Sequence, residues 1–298
     1  MLPDFQQLFL PQLDWTRLSA DDAYGLNHST TQMHWAAQFL SMAGKCFLPH
    51  QADDSHTNMA WSVEDQRFLT HPIQSTQLVL HPQSFSLGIL GPNGNLRNQQ
   101  PLAGLTLEQG VEWVKSNLHH QGLDTADYRI DLHYNLPDHP LLHGDHFAKI
   151  SYEDGGVFAK VRSLGHLVMQ AYADLFSHAT PVRTWPHHFD IGTYIPLGFD
   201  AEGETNLSIT LGLAIADPYS DAYYFYVNHW ARDQEIQYGQ LPSLAEGGHW
   251  NQQDFVGAIL PLSFALKPGD KVSQIQRIQS FMNSAIEASI GFLSSVHR

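Results

Sequence analysis

The chain has a single cysteine, Cys46, in 298 residues. One thiol excludes an internal disulfide and fits a reducing compartment, so a cytoplasmic location is the expectation. Basic residues are scarce as well. Lys and Arg number 15 against 30 Asp and Glu, for a formal net charge of −15. No basic cluster can track a phosphate backbone, so neither nucleic acid nor an anionic membrane is an expected partner. No apolar run approaches the length of a bilayer span. The N-terminus carries Asp4 and no basic stretch, which is unlike a signal peptide. The nucleotide and nucleophile signatures G-x-x-x-x-G-K-[ST], G-x-G-x-x-G and G-x-S-x-G are all missing, which disfavours P-loop, dinucleotide and α/β-hydrolase chemistry. H-E-x-x-H, C-x-x-C and H-x-H are missing too, so no zinc signature is present.

What the chain has in excess is histidine, 19 residues in all. Imidazole can ligate metal, move protons or simply pack, so the excess permits function without naming one. Two stretches that carry histidine at both ends align without a gap. The first runs from His34 to His56 and Asn58, the second from His166 to His188 and Asp190. Gln38 aligns with Gln170 and Pro49 with Pro181. Each copy reads as an amphipathic helix, a proline break and a strand that opens on histidine. Such a duplication tends to pack about a pseudo-twofold axis, and a groove at the axis suits a ligand.

Periodicity gives the remaining elements. Met33, Ala36, Ala37, Leu40, Ala43 and Phe47 make one face of a helix over 31–47, with His34, Gln38, Ser41 and Lys45 on the opposite stripe. Thr106 and Gln109 have capping-box spacing before a second helix. Residues 160–178 and 271–296 are helical by the same criterion. Strands are expected at Met59–Val63, Gln77–His81, Phe85–Leu90, Tyr128–Tyr134, Leu207–Ile215, Ala222–Trp230 and Phe255–Leu262. A turn is expected around Ser19. Strand runs without regular intervening helices favour α+β: largely antiparallel sheet with long amphipathic helices, and a duplicated helix-strand-strand-helix unit. The halves are placed at 1–124 and 125–298.

The densest chemistry lies in Trp185-Pro-His187-His188-Phe-Asp190. On a strand His188 and Asp190 share a face and His187 points away. Asp190 could then fix the His188 tautomer and leave the other nitrogen as general base or ligand. His56 and Asn58 repeat that spacing. A satisfied structural His–Asp pair is the competing reading. Glu246-Gly-Gly-His249-Trp250 places an acid and an imidazole on a glycine-rich loop, or is simply a turn joining strands. Tyr224 and Tyr226 share one strand face and could line a pocket with phenols. His50 and Asp53–His56 read as a polar approach to the first strand. His119 and His120 read as helix-end cations, and His143 and His146 as part of a solvated loop. Cys46 reads as a small buried hydrophobe.

Several segments resemble DUF5996, a bacterial family of uncharacterised proteins. They are Gly44-Lys45 at the end of the first helix, Thr180-Pro-Val leading to Phe189-Asp190, the Ala222–Val227 strand, the Gly257–Leu262 strand and the closing helix. The resemblance covers most of the chain in segment order and implies no activity. His187 and His188 stand outside the family pattern, whereas the Phe-Asp step belongs to it.

The expectation is thus a small-molecule enzyme or ligand-binding protein with a pocket between the halves. His188, Asp190, His56, Glu246 and His249 would be catalytic. Trp185, His187, Asn58, Tyr224, Tyr226 and Trp250 would bind the ligand. A divalent metal is a further option, with no ligand set assigned. The alternative is a non-catalytic interaction or sensing protein, and a homo-oligomer is compatible with either.

Overall fold

The computed structural model describes residues 8, 10, 15–233, 236, 238–254 and 256–296. Most of the first 14 residues, and Phe255 of the expected late strand, lie outside the described residues. The helices are α1 (Ala20–Tyr24), α2 (Asn27–Phe47), α3 (Leu107–His120), α4 (Tyr152–Ala173), α5 (Leu262–Ala265) and α6 (Lys271–Val296). Five strands, β1 (Ala60–Ser62), β2 (Arg67–Leu69), β3 (Gln77–His81), β4 (Ser86–Leu90) and β5 (Leu96–Pro101), form an antiparallel meander in chain order. The others are β6 (Arg183–Thr184), β7 (Ile191–Phe199), β8 (Thr205–Ala214), β9 (Tyr224–Ala231), β10 (His249–Asn251) and β11 (Gly257–Pro261). They form a second sheet in the order β10-β11-β9-β8-β7-β6. The α+β, largely antiparallel expectation holds. Among the described residues no helix is long and apolar enough to cross a membrane.

The chain divides into two compact units. The first comprises 26–163 with 183–189; the second comprises 1–25, 164–182 and 190–298. The sequence reading placed its boundary at 124/125, whereas the units divide within α4 and again around 183–189.

In the first unit α2 packs on β3 and on α3. The capping box of α3 forms as expected: Gln109 N–H donates to Thr106 Oγ1 and Thr106 N–H to Gln109 Oε1. α4 starts eight residues before the expected 160. Ser151 caps it through Asp154, accepting the Asp154 N–H and donating its hydroxyl to the Asp154 carboxylate. Gly155 lies in that first turn, where a Cβ would collide with the Pro82 carbonyl. The expected strand at 128–134 does not form. Its alternation belongs to an unpaired segment pinned by Tyr128, whose hydroxyl donates to the Phe39 carbonyl at 2.9 Å. In the second unit α6 spans 271–296 as expected and packs on β9, β8 and β11. Around Ser19 the chain forms α1, with Ser19 and Asp22 in a capping box, rather than a turn.

Candidate metal centre

The polar stripe of α2 departs most from expectation. His34, Gln38 and Ser41, on the stripe opposite the apolar face, are buried. Each has a fixed partner inside the first unit. His34 Nε2–H donates to the Pro186 carbonyl at 2.7 Å, and Gln38 Nε2 donates to the same oxygen at 3.1 Å. The Tyr134 hydroxyl donates to Gln38 Oε1 at 2.6 Å and lies 3.1 Å from Ser41 Oγ. Burial holds the His34 pKa down at about 4, against the pull of the Pro186 carbonyl, so the ring is neutral at physiological pH.

Residues 185–189 are a turn and not the expected strand. The Phe189 N–H donates to the Trp185 carbonyl at 2.7 Å, and Phe189 has φ 54°, a left-handed conformation costly for a bulky side chain. Arg162, fully buried, fixes it. Its guanidinium donates to the Phe189 carbonyl and to Thr184 Oγ1, both at 2.7 Å, and lies 4.8 Å from the Phe189 ring centroid. The His34 ring stacks on the same Phe189 ring, with centroids 4.8 Å apart and planes 3° apart. The turn brings together Trp185, His187 and His188, with His187 6.2 Å from Trp185 and 4.5 Å from His188 between ring centroids. The two-residue strand alternation that was to align His188 with Asp190 is therefore absent.

The first copy also breaks from a strand. α2 ends at Phe47, where Leu48 N–H donates to the Gly44 carbonyl, and Pro49 prevents its continuation. The chain then folds back. Asp54 N–H donates to the Gln51 carbonyl at 3.0 Å, and Asp54 adopts φ 58°, ψ 11°. Aspartate tolerates this left-handed geometry better than most residues. Ser55–Thr57 form a 3-10 turn, with the Thr57 N–H and Oγ1 both donating to the Asp54 carbonyl at 2.9 Å. Hydrogen bonds from Ser55 lower the Asp53 pKa and lock the approach. Gly44 permits the turn to lie on α2, because a Cβ there would collide with the His56 carbonyl.

This fold-back converges His50, Asp54 and His56. One ligand atom from each lies within 4.8 Å of the others. Ligands on a common ion with bonds near 2.1 Å sit roughly 3–4 Å apart, so small side-chain rotations would close the set. The His50 and His56 rings meet edge-on at 5.2 Å. Burial lowers the His56 pKa, and His50 adds in the same direction, which favours the neutral form that can ligate. Its Nδ1 accepts a long hydrogen bond, 3.3 Å, from the Gln51 N–H. An ion would either compete for that nitrogen or take the other after a ring flip. His133 Nε2 lies 3.1 Å from Asp54 Oδ2. Asn58, expected to bind the ligand, accepts from His71 Nε2 at 2.9 Å; His71 also donates to the Ser55 carbonyl at 3.0 Å. His71 thus clamps the loop from below.

The remaining expected site residues belong to the second unit. Tyr226 donates to Asp190 Oδ2 and Tyr224 to Asp217 Oδ2, each at 2.6 Å. Tyr223 and Phe225 are buried, but so is Tyr224, which packs in a core cluster with Ala214 and Ile259, with Tyr226 against it, instead of lining a pocket. Burial raises the pKa of Tyr224 and Tyr226, and the accepting carboxylates add to it. Glu246, at φ 56°, lines an open polar cleft of about 410 Å³ with Gln276, Gln279, Ser280 and Asn283. His249 is exposed at the start of β10. Trp250 Nε1 donates to the Pro242 carbonyl, and its ring packs near Phe292 and His229. Cys46 is half-buried, and burial raises its thiol pKa, which is the wrong direction for a nucleophile.

Sequence reasoning passed over His50, Asp54 and His133 as site residues. The available signal was His50-x-x-x-Asp54-x-His56 directly behind a proline, with Asp53-Asp54-Ser55 as turn formers. The chain has no match among family models, curated proteins or solved structures.

Proposed function

We propose that this protein binds one divalent transition ion through His50, Asp54 and His56 and uses it to hold and polarise a small-molecule ligand. The convergence of two imidazoles and one carboxylate within 4.8 Å carries the reading. Borderline nitrogen donors with one carboxylate suit zinc, iron or manganese more than calcium or magnesium. Three protein ligands leave coordination positions free, which is the arrangement of reactive rather than structural ions. Such an ion acts as a Lewis acid toward a bound oxygen. Two supports for the loop favour a built site: the Gly44 close approach and the His71 clamp. The acidic chain, at −15, favours cation capture. Kinship with DUF5996 is part of the same proposal and adds no activity to it.

The test is metal content of the purified full chain after incubation with Zn²⁺ and gel filtration. One equivalent should be retained by the wild type and lost from H50A/H56A. Failure of the wild type to bind Zn²⁺ or Co²⁺ saturably would overturn the reading.

A further inference from the structure

One imidazole beside the cluster has no part in the ligand set. His133 Nε2 is 3.1 Å from Asp54 Oδ2, yet His133 is outside the three residues whose ligand atoms converge. It arrives from a separate segment that is held at both flanks. Lys45 Nζ donates to the Asp131 carbonyl at 2.5 Å, and the Tyr134 hydroxyl donates to Gln38 Oε1 at 2.6 Å. The His133 ring also meets Tyr134 edge-on at 4.8 Å. An imidazole fixed against one carboxylate oxygen leaves the other oxygen to an ion and opposes bidentate binding. Two imidazole ligands and one carboxylate would leave a divalent ion with a net positive charge and vacant positions, which favours an anionic donor.

We propose that His133 is a positioning residue that keeps Asp54 monodentate and so leaves the ion open to an anionic oxygen ligand of the carboxylate or hydroxamate type. The proposal rests on the metal reading of His50, Asp54 and His56. Its test uses the full chain loaded with Co²⁺ and acetohydroxamate as the probe. The wild type should show the weak visible bands of a five- or six-coordinate ion, and these should shift on addition of acetohydroxamate. His133→Ala should bind Co²⁺ roughly 10–100-fold more weakly, the range for loss of an outer-sphere partner. His133→Gln, which keeps a donor for Asp54, should recover most of that loss. Intense tetrahedral bands that ignore acetohydroxamate and collapse in His133→Ala would make His133 a fourth ligand and overturn the proposal. Saturable Co²⁺ binding with no change in either His133 variant would overturn it too, while leaving the metal reading intact. No Co²⁺ binding by the wild type would remove the metal reading and this proposal together.

Discussion

The two units each carry a polar cluster, and the clusters differ in how their hydrogen bonds close. In the second unit every phenol of the Tyr224–Tyr226 pair has a carboxylate at 2.6 Å. Donors and acceptors match one to one, and the rings fill the space that Gly212 leaves against Tyr226. In the first unit His50, Asp54 and His56 bring three electron-pair donors together. The first arrangement is finished as it stands. The second, on the reading proposed above, would be completed by a cation. A phenol and a carboxylate matched one to one form a finished pair, whereas imidazole and carboxylate lone pairs that converge can also be shared with a cation.

The sharpest way to break this contrast is to change one member of each cluster. Asp54→Asn should weaken Zn²⁺ binding by more than the roughly 100-fold upper range of outer-sphere changes, because it removes a ligand and the only negative charge in the set. Tyr226→Phe should leave Zn²⁺ affinity unchanged. Calorimetric titration of both variants decides it, and a comparable loss in the two would erase the distinction.

A second contrast uses buried histidines, one per unit. Burial holds both His34 and His229 at about 4, below the ordinary 6.5. A depressed histidine pKa means the unfolded chain binds more protons between these values. The stabilisation is therefore complete above pH 6.5 and is lost as pH falls toward 4, by up to about 3 kcal/mol for each ring. Denaturant unfolding from pH 7 to 4 should show this decline, with a shallower slope in His34→Gln and in His229→Gln. An unchanged slope in one variant would assign the acid sensitivity to the other unit.

Much of the frame was legible, and the reasons are local. The α3 cap needs only Thr106 and Gln109, and the α6 face only its own periodicity. β8 alternates because Leu207, Ile209, Leu211 and Leu213 share one face of the strand, which is buried. What was not legible depends on partners distant in sequence. The α2 stripe of His34, Gln38 and Ser41 lies opposite the apolar face, and nothing near it in sequence shows that the Pro186 carbonyl, 152 residues from His34, will cover it. The 185–190 segment has strand composition, but the buried Arg162 guanidinium takes the Phe189 carbonyl and the chain turns. The helical start of α4 was hidden by Gly155 and Gly156, although the Ser151-x-x-Asp154 cap was present to be read. At the candidate site the residue types were visible, while the left-handed Asp54 that makes them converge was not.

Gly44 tests whether that convergence depends on the loop lying against α2. Gly44→Ala introduces a methyl group into the His56 carbonyl, a backbone atom that cannot rotate away. Overpacking of this kind costs about 2 kcal/mol, and here the strain falls on the turn that carries Asp54 and His56. Loss of Zn²⁺ affinity should therefore accompany the drop in unfolding midpoint. A full loss of stability with undiminished Zn²⁺ affinity would show that the three ligands find one another without the α2 contact.

The smallest effect belongs to the finished cluster. Tyr226→Phe removes the proton donated to Asp190, but Asp190 is only half-buried, so water can take the vacated position. The net loss should be about 1 kcal/mol rather than the larger cost of an orphaned, fully buried carboxylate. Tyr224→Phe, acting on Asp217, should cost a similar amount. Because the two rings are 6.3 Å apart and both donate to carboxylates, the double variant should deviate from the sum by a few tenths of a kcal/mol. Strict additivity in denaturant unfolding would mean two independent pairs. A coupling well above that size would mean the phenols act as one network, and would move the second unit closer to the first as a place where chemistry could reside.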